Sequence, residues 1–392
     1  MRDSDEQEDI QEFQVFVKPG SYHCNLQCSY CYYLAVGKCL NTWFPGHMGD
    51  DVLKRYLSSH IDACDGKHIH FSWHGGEPTL LGIEYFNNIV ELQNDLCPPG
   101  KQIHNAIQTN GTLIDDRWAT FLARHGFIVG VSLDGPPELH NAYRKTIQGE
   151  TTFDQAYRGY RLLIAHNVPV DVLCVVNDCN VLYPMQIYRF FKEIGVRHLS
   201  FLPLVEQQAN GTTIVVSERS VPAEAFGAFL CVIFDEWKAG DIGRIKVQIF
   251  EEVLRTAFEQ QHSLCLFRPE CGDIPVLEAN GDVYACDHYV HPSYRIGNIT
   301  KSSLADILNS EKLQQFGKAK KKHLPTLCKK CEVLAMCNGE CPKNRFVQVE
   351  GGESGTMNYL CSGYRLFFNH CRPFVDAVAE QWRKELMLPE SK

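Results

Sequence analysis

Three cysteines near the start of the chain have a spacing that suits ligation of a metal group. Cys24, Cys28 and Cys31 lie in the stretch HCNLQCSYCYY, separated by four and then three positions. Three thiolates from one short loop can bind three corners of a cubane iron–sulfur cluster, although such clusters normally use four cysteines. The fourth iron would then have no protein ligand and could bind another molecule. A zinc site is the alternative, because His23 or Cys39 could supply a fourth ligand.

A second set of cysteines is concentrated in the last third of the chain. Its eight members are Cys265, Cys271, Cys286, Cys328, Cys331, Cys337, Cys341 and Cys361. Eight thiolates suffice for two complete clusters, which would leave no iron free for a substrate and would therefore transfer electrons. Zinc is again the alternative, because paired C-x2-C motifs also form zinc knuckles. Asp287, directly after Cys286, could act as a general base, or simply as a helix cap or salt-bridge partner.

Polar residues also follow two of the short apolar runs. Gly75, Gly76 and Glu77 come directly after HIHFSW. Glycines admit a ligand close to the backbone, and a carboxylate beside them can bind an ammonium group, although a simple turn is the alternative. Ser132 and Arg144 together suit a carboxylate ligand, whereas a capping serine and a surface arginine would have no ligand to bind.

The hydrophobic pattern predicts a scaffold that brings these residues to one edge. From residue 12 to about 204, six short apolar runs alternate with amphipathic stretches of about ten to fifteen residues. Strands and helices that alternate in this way form a parallel sheet or barrel, and six units fall short of a full eight-unit barrel. The fold class is therefore α/β, a partial (β/α)6 barrel. Loops that follow its strands meet at one rim, where sites of this architecture are built.

Four parts of the chain are predicted. Residues 1–11 are an acidic, disordered lead; residues 12–222 form the partial barrel; residues 223–260 form a helical linker. Residues 261–392 form a cysteine-rich domain that ends in a long amphipathic helix. Within it, VLEANGDVYACD predicts a hairpin with an Asn-Gly turn.

Composition narrows the class of protein. The chain has 392 residues, 47 acidic against 38 basic, and no long basic run, which argues against nucleic acid as a partner. It has no apolar run of about 18 residues and no basic, apolar leader, so we expect a cytoplasmic protein without a membrane partner. Eighteen cysteines in a reducing compartment favour metal or cluster ligation over disulfides.

The first cysteine motif resembles the signature of radical S-adenosylmethionine (SAM) enzymes: C-x3-C-x2-C follows the first predicted strand, with an aromatic residue before the third cysteine. In that superfamily the open iron of a [4Fe–4S] cluster binds the amino and carboxylate groups of SAM, and the reduced cluster cleaves SAM to a 5′-deoxyadenosyl radical. HGGEP resembles the element that holds the SAM amino group. The implied cofactor contacts are Tyr30, His74, Gly75, Gly76, Glu77, Ser132 and Arg144.

The C-terminal cysteine pattern resembles the SPASM domain, which carries two auxiliary [4Fe–4S] clusters and brings the implied total to three. The resemblance implies that one auxiliary cluster is bound by Cys265, Cys271, Cys286 and Cys341. It implies that the other is bound by Cys328, Cys331, Cys337 and Cys361. Clusters that accept or relay an electron favour a net oxidation over a radical rearrangement.

Over almost its whole length the chain resembles anaerobic sulfatase-maturating enzymes, notably in GDVYACDHYVHPSYRIGNI, CNGECPKNRF and NYLCSGYRLFFNH. The resemblance implies oxidation of a cysteine or serine in an unfolded sulfatase, within a Cys/Ser-x-Pro-x-Arg motif, to Cα-formylglycine. Asp287 would take the substrate proton, Tyr33 would line the substrate approach, and flavodoxin or ferredoxin would supply electrons. Enzymes that cross-link or epimerise ribosomal peptides are one alternative, and a non-catalytic zinc or electron-transfer protein is another.

Overall fold

A ten-stranded β-sheet runs through the chain in this computed structural model, which describes residues 13–40, 46–210, 213–348 and 355–387. The predicted lead at residues 1–11 lies outside the described residues. In the described residues the strands are β1 (Phe16–Lys18), β2 (His68–Trp73), β3 (Gln102–Thr109), β4 (Ile128–Ser132), β5 (Val170–Val176), β6 (His198–Pro203), β7 (Gln207–Asn210), β8 (Thr213–Val216), β9 (Lys246–Val247), β10 (Val276–Glu278), β11 (Asp282–Tyr284), β12 (Arg295–Asn298), β13 (Arg345–Gln348) and β14 (Thr356–Asn358).

Helices connect most of these strands. In the same described residues they are α1 (Tyr32–Leu40), α2 (Asp50–Ala63), α3 (Gly82–Leu96), α4 (Asp116–Arg124), α5 (Pro137–Tyr143), α6 (Phe153–Ala165), α7 (Pro184–Glu193), α8 (Ala223–Gly240), α9 (Gln248–Ala257), α10 (Leu304–Leu308), α11 (Glu311–Lys322), α12 (Thr326–Lys329), α13 (Leu334–Cys337) and α14 (Cys361–Met387). Among the residues that the structure describes, no helix is long and apolar enough to cross a membrane.

The order of strands in the large sheet is β12-β11-β10-β1-β2-β3-β4-β5-β6-β9. Strand β10, strands β1 to β6 and strand β9 are parallel, β11 runs antiparallel to β10, and β12 runs antiparallel to β11. Strands β1 to β6 correspond to the six apolar runs, so the predicted α/β partial barrel is confirmed. Side chains alternate across each strand, and in β2 the buried set Ile69, Phe71 and Trp73 faces the helices.

One part of the sheet was not predicted: strands from the cysteine-rich region continue it. Strand β10 pairs in parallel with β1 and places Glu278 opposite Lys18. The predicted hairpin is present between β10 and β11, where Gly281 has φ +84° in the Asn-Gly turn. Strands of three residues have little periodicity, so the pairing between such distant segments could not be read from the local pattern. The domain boundaries at 222 and 260 stay predictions.

Helices α8 and α14 pack closely and hold the C-terminal region against the barrel. They meet at Gly227 and Gly363, where an ideal Cβ on Gly227 would lie 2.3 Å from the Gly363 carbonyl oxygen. Beyond this crossing, the ring centroids of Phe234 and Phe374 lie 5.7 Å apart. Helix α14 begins at Cys361, so the same packing fixes the position of one predicted cluster ligand.

Candidate active site

The first cysteine loop lies directly after β1 and lines a pocket. Cys24, Cys28 and Cys31 line it together with Tyr22, Leu26, Tyr33, Leu34 and Gly76. Burial raises the pKa of Cys24 to about 12 and also raises the pKa of Cys28. Thiolates in such apolar surroundings are costly unless a cationic group neutralises them. The three thiols therefore fit a metal cluster as their partner.

The two glycines after β2 let the backbone of this strand end approach the cysteine loop. The Gly76 N–H donates to the Ser21 carbonyl (2.7 Å) and the Glu77 N–H donates to the His23 carbonyl (2.8 Å). An ideal Cβ on Gly76 would lie 2.1 Å from the His23 oxygen, closer than any real contact. Gly75 has φ +128°, which an L side chain rarely adopts. The pair is therefore required to position the cysteine loop.

The carboxylate of Glu77 is engaged by the chain itself. It is 2% exposed and accepts hydrogen bonds from the Thr79 N–H (3.0 Å) and the Thr79 hydroxyl (2.6 Å). It also accepts from the Thr109 hydroxyl (2.7 Å) and the Asn110 N–H (2.7 Å) at the end of β3. Burial raises its pKa despite these donors. Glu77 thus ties two strand ends together, and its predicted contact with a SAM ammonium group stays a prediction.

Arg144 and Tyr30 converge on a carboxylate that the sequence analysis did not single out, Asp134. Arg144 donates to both carboxylate oxygens of Asp134 (2.9 and 3.4 Å), and the Tyr30 hydroxyl donates to one of them. Asp134 is 1% exposed and also accepts from the Val175 N–H (2.9 Å). The signal was present in the sequence, because Asp134 belongs to VSLDG at the end of β4. This network braces the cysteine loop beside Cys28.

Two further predicted cofactor contacts lie on the same rim. The Ser132 hydroxyl accepts a hydrogen bond from the Gln108 side-chain amide at 3.2 Å. His74 stacks on Phe16 with ring centroids 3.9 Å apart, and its Nε2 lies 2.8 Å from the Ser72 hydroxyl oxygen. Burial lowers the pKa of His74 to about 4, so its ring is neutral at pH 7.

Asp287 lies at the junction between β1 and the cysteine-rich region. It forms an ion pair with Lys18, and it accepts a hydrogen bond from the hydroxyl of Tyr32. Burial by itself would raise the pKa of Asp287. Lys18, His288 and the two hydrogen bonds outweigh that effect and hold its pKa well below the usual range. The carboxylate is therefore ionised at pH 7, and its role as a proton acceptor stays a prediction.

A second carboxylate, Glu278, is the register partner of Lys18 across strands β1 and β10 and interacts with its charge. It accepts hydrogen bonds from the Tyr33 hydroxyl and from the Ser21 hydroxyl (2.9 Å). The Lys18 ammonium lies 3.4 Å from the centre of the Tyr33 ring. Burial raises the pKa of Glu278, with Lys18 and the hydrogen bonds opposing it. The pKa values of the two carboxylates are thus shifted in opposite directions, a pattern typical of sites with acid–base roles.

Tyr33 and Asp287 are brought to one place, as the predicted roles require, but their partners Lys18 and Glu278 were not predicted. Each carries a weak signal in the sequence: Lys18 ends the apolar run FQVFVK, and Glu278 lies in VLEANG just before the predicted turn. Either residue reads locally as an exposed strand end. Only the pairing of β1 with β10 makes both of them 2% exposed.

The later cysteines fall into two groups in the structure, and the ligand division implied by the resemblance stays a prediction. Cys328, Cys331, Cys337 and Cys361 line one pocket. The other four interact electrostatically: besides burial, Cys271 raises the pKa of Cys265, and Cys341 and Cys265 raise that of Cys286. In the described ranges no three His, Cys, Asp or Glu side chains are placed to hold a single metal ion. A cluster spreads its thiolates more widely than one ion does, and a lining of buried thiols suits it.

Comparisons with known proteins agree with this geometry. Residues 19–191 match the radical SAM superfamily, and residues 265–332 match the SPASM iron–sulfur cluster-binding domain. The chain is 41% identical over 386 residues to the serine-type anaerobic sulfatase-maturating enzyme of Bacteroides thetaiotaomicron, covering 95% of this chain and 92% of that one. It is 34% identical to the cysteine-type enzyme of Clostridium perfringens, covering 93% and 98%.

A solved structure is also similar to this one. Native anSMEcpe with bound AdoMet (SAM) and Cp18Cys peptide superposes with a TM-score of 0.84 at 32% identity, covering 94% of this chain and 99% of that one. The resemblance drawn from the cysteine spacing is therefore confirmed, together with the radical SAM and SPASM modules.

Proposed function

Because this chain belongs to the anaerobic sulfatase-maturating enzymes, a family of radical SAM enzymes, we propose that it oxidises a cysteine or serine of a sulfatase polypeptide to Cα-formylglycine. The target is an unfolded segment with a Cys/Ser-x-Pro-x-Arg motif. An electron donor such as flavodoxin or ferredoxin supplies the electron that starts each turnover.

When bound, three [4Fe–4S] clusters and SAM supply two things. One is a radical that removes one hydrogen atom from the substrate Cβ, and the other is an acceptor for one electron. The residues of this chain supply the rest. Cys24, Cys28 and Cys31, which line one pocket, would hold the first cluster, and Ser132 and His74 on the neighbouring rim would contact SAM. Asp287 takes the proton from the substrate sulfur or oxygen. The substrate thus loses one hydrogen atom, one proton and one electron, and a thioaldehyde then exchanges sulfur for water to release hydrogen sulfide.

The observation that carries this proposal is the position of Asp287. It follows Cys286 of the cysteine-rich region and accepts a hydrogen bond from Tyr32, the residue after Cys31 of the first loop. Its ion pair with Lys18 keeps it ionised. This position, between the first cysteine loop and the cysteine-rich region, supports Asp287 as the group that deprotonates a substrate hydroxyl or thiol.

A peptide assay tests the proposal. The full chain is reconstituted anaerobically with iron and sulfide and incubated with SAM, a reductant and a peptide bearing Cys-x-Pro-x-Arg or Ser-x-Pro-x-Arg. We expect a product about 18 Da lighter for the cysteine peptide or about 2 Da lighter for the serine peptide, and trapping of its aldehyde by a hydrazine. A matched alanine peptide should remain unchanged.

Two results would contradict the proposal. Deoxyadenosine formation without an aldehyde on either peptide would indicate a different peptide reaction, such as cross-linking. A chain that binds zinc in place of about twelve irons would exclude radical chemistry altogether. Comparison of the two peptides also determines whether cysteine or serine is preferred.

A further inference from the structure

A buried lysine lies beside one of the two later cysteine groups. Lys320 on α11 is 1% exposed, and its ammonium donates to the carbonyl oxygens of Cys265 (2.8 Å) and Leu266 (2.7 Å). Both acceptors are neutral, so they satisfy its hydrogen bonds without balancing its charge. The next two residues, Lys321 and Lys322, are exposed. Lysine is almost never fully buried unless it is paired, so the position of Lys320 needs a counter-charge.

Helix α11 holds this ammonium in a fixed position relative to the cysteines. One turn before Lys320, the Gly317 carbonyl accepts the Cys271 N–H (3.2 Å), and an ideal Cβ on Gly317 would lie 2.3 Å from the Cys271 oxygen. Arg345 donates to the Lys320 carbonyl (2.6 Å) and to the Gly339 carbonyl (2.9 Å). The helix therefore cannot slide away from the loop that carries Cys265 and Cys271.

The charges of Lys320 and the thiols affect one another. Against the effect of burial, Lys320 lowers the pKa of Cys265 and of Cys271. In return, thiolates at Cys271, Cys265 and Cys341, followed by the buried carboxylate of Glu340, oppose the burial that lowers the pKa of Lys320. Three of the four cysteines in this group thus interact with its charge, and their thiolates with the metal group they bind are its natural counter-charge.

The other cysteine group has different surroundings. The cations that lower the pKa of its members are Arg345, acting on Cys328, and Arg365, acting on Cys361. Arg345 also lowers the pKa of Cys271, so it does not distinguish the two groups. Arg365 is exposed and is already paired with Glu332 at 2.7 Å. An exposed, paired charge is screened by water, whereas a buried one acts through a low dielectric.

We propose that Lys320 raises the reduction potential of the cluster bound by Cys265, Cys271, Cys286 and Cys341 above that of the cluster bound by Cys328, Cys331, Cys337 and Cys361. This inference rests on the ligand division in the proposed function. Reduction adds one electron and therefore one negative charge to the cluster, and a fixed, desolvated ammonium stabilises that charge. Lys320 thus makes the group beside Asp287 the better acceptor for the single electron that the oxidised substrate gives up.

Potentiometric titration monitored by electron paramagnetic resonance tests this role in the full-length reconstituted enzyme. We expect Lys320→Met to lower the midpoint potential of one cluster. The equilibrium constant for its reduction should fall about tenfold, which corresponds to about 59 mV for a one-electron couple. The other midpoints should not move. The matched control is Lys321→Met, one position along the same helix, and its titration curves should superimpose on those of the wild type.

A Cys328→Ala background, which lacks one ligand of the other group, assigns the shifted signal. The proposal is supported if Lys320→Met still lowers the midpoint potential of a cluster signal that remains in this background. It is overturned if Lys320→Met shifts only the signal that disappears with Cys328. Unchanged midpoints at full iron content overturn it too. Loss of about four irons in both Lys320→Met and Lys320→Gln would make Lys320 purely structural and would also overturn it. The expected shift without any formylglycine product would refute the proposed function while leaving this role intact.

Discussion

Two carboxylates, Glu278 and Asp287, interact with the charge of Lys18, and their surroundings differ. Glu278 is 2% exposed and bonded to Tyr33 and Ser21, and burial raises its pKa. Asp287 is less buried and paired with Lys18, which keeps its pKa low. Glu278 is thus tied into the scaffold by its hydrogen bonds, whereas 18% of the Asp287 side chain remains exposed.

At the residue scale we therefore predict that Asp287→Asn retains all clusters and SAM cleavage but loses product. The amide keeps the shape of the side chain and cannot accept a proton, so peptide oxidation should fall by about 10²- to 10⁴-fold. Deoxyadenosine and formylglycine are quantified from the same reaction by mass spectrometry. The control is Asp95→Asn, an exposed aspartate at the end of α3, which should behave as the wild type. Unchanged oxidation in Asp287→Asn would remove this residue from the mechanism.

Among the elements, the end of β2 has a structural role that its sequence only partly discloses. The Gly-Gly pair was predicted to bring the backbone near a ligand, and the structure shows it pressed against the cysteine loop. The Gly76 and Glu77 N–H groups donate to Ser21 and His23 just before Cys24. The loop that carries the first three thiols is thus shaped by a neighbouring strand end.

We predict that Gly76→Ala prevents correct assembly of the first cluster only. Its Cβ would require the His23 carbonyl to move, because the two atoms would otherwise lie 2.1 Å apart. Iron content should fall from about twelve to about eight per chain, and SAM cleavage should be lost. Gly240→Ala is the matched control, because a Cβ there meets nothing within 4 Å. Full iron content and normal SAM cleavage in Gly76→Ala would show that the loop does not depend on this approach.

Elements with a strong local pattern were predictable from the sequence, and long-range pairings were not. Strands β2 and β5 begin and end where the apolar runs HIHFSW and VDVLCVV do. In contrast, Arg144 looks like any surface arginine until its pairing with Asp134 is seen, and Lys320 looks like its exposed neighbours in KAKKK. Burial of a charge depends on which distant segment covers it, and no local period encodes that information.

At the scale of the whole molecule, the sheet joins the two family modules. Strand β1 has two neighbours: β2 from the barrel and β10 from the cysteine-rich region. One continuous apolar core extends from Val15, next to β1, to Ala379 on α14. Without β10, β1 would become an edge strand with unpaired backbone groups, and the partners of Lys18 would be removed. Strand β10 and the barrel should therefore unfold together.

Hydrogen exchange measured by mass spectrometry on the reconstituted enzyme checks this expectation. Amides of β10 should exchange as slowly as those of β2, and a low concentration of urea should accelerate both to the same extent, because both exchange through one global opening. Hairpin β7–β8 belongs to a separate two-stranded sheet and serves as the internal control, with faster exchange in all conditions. If β10 to β12 instead became deuterated in urea while β1 and β2 stayed protected, the two modules would be independent folding units. The geometry around Asp287 would then depend on domain docking, because Lys18 and Glu278 are neighbours only while β1 and β10 remain paired.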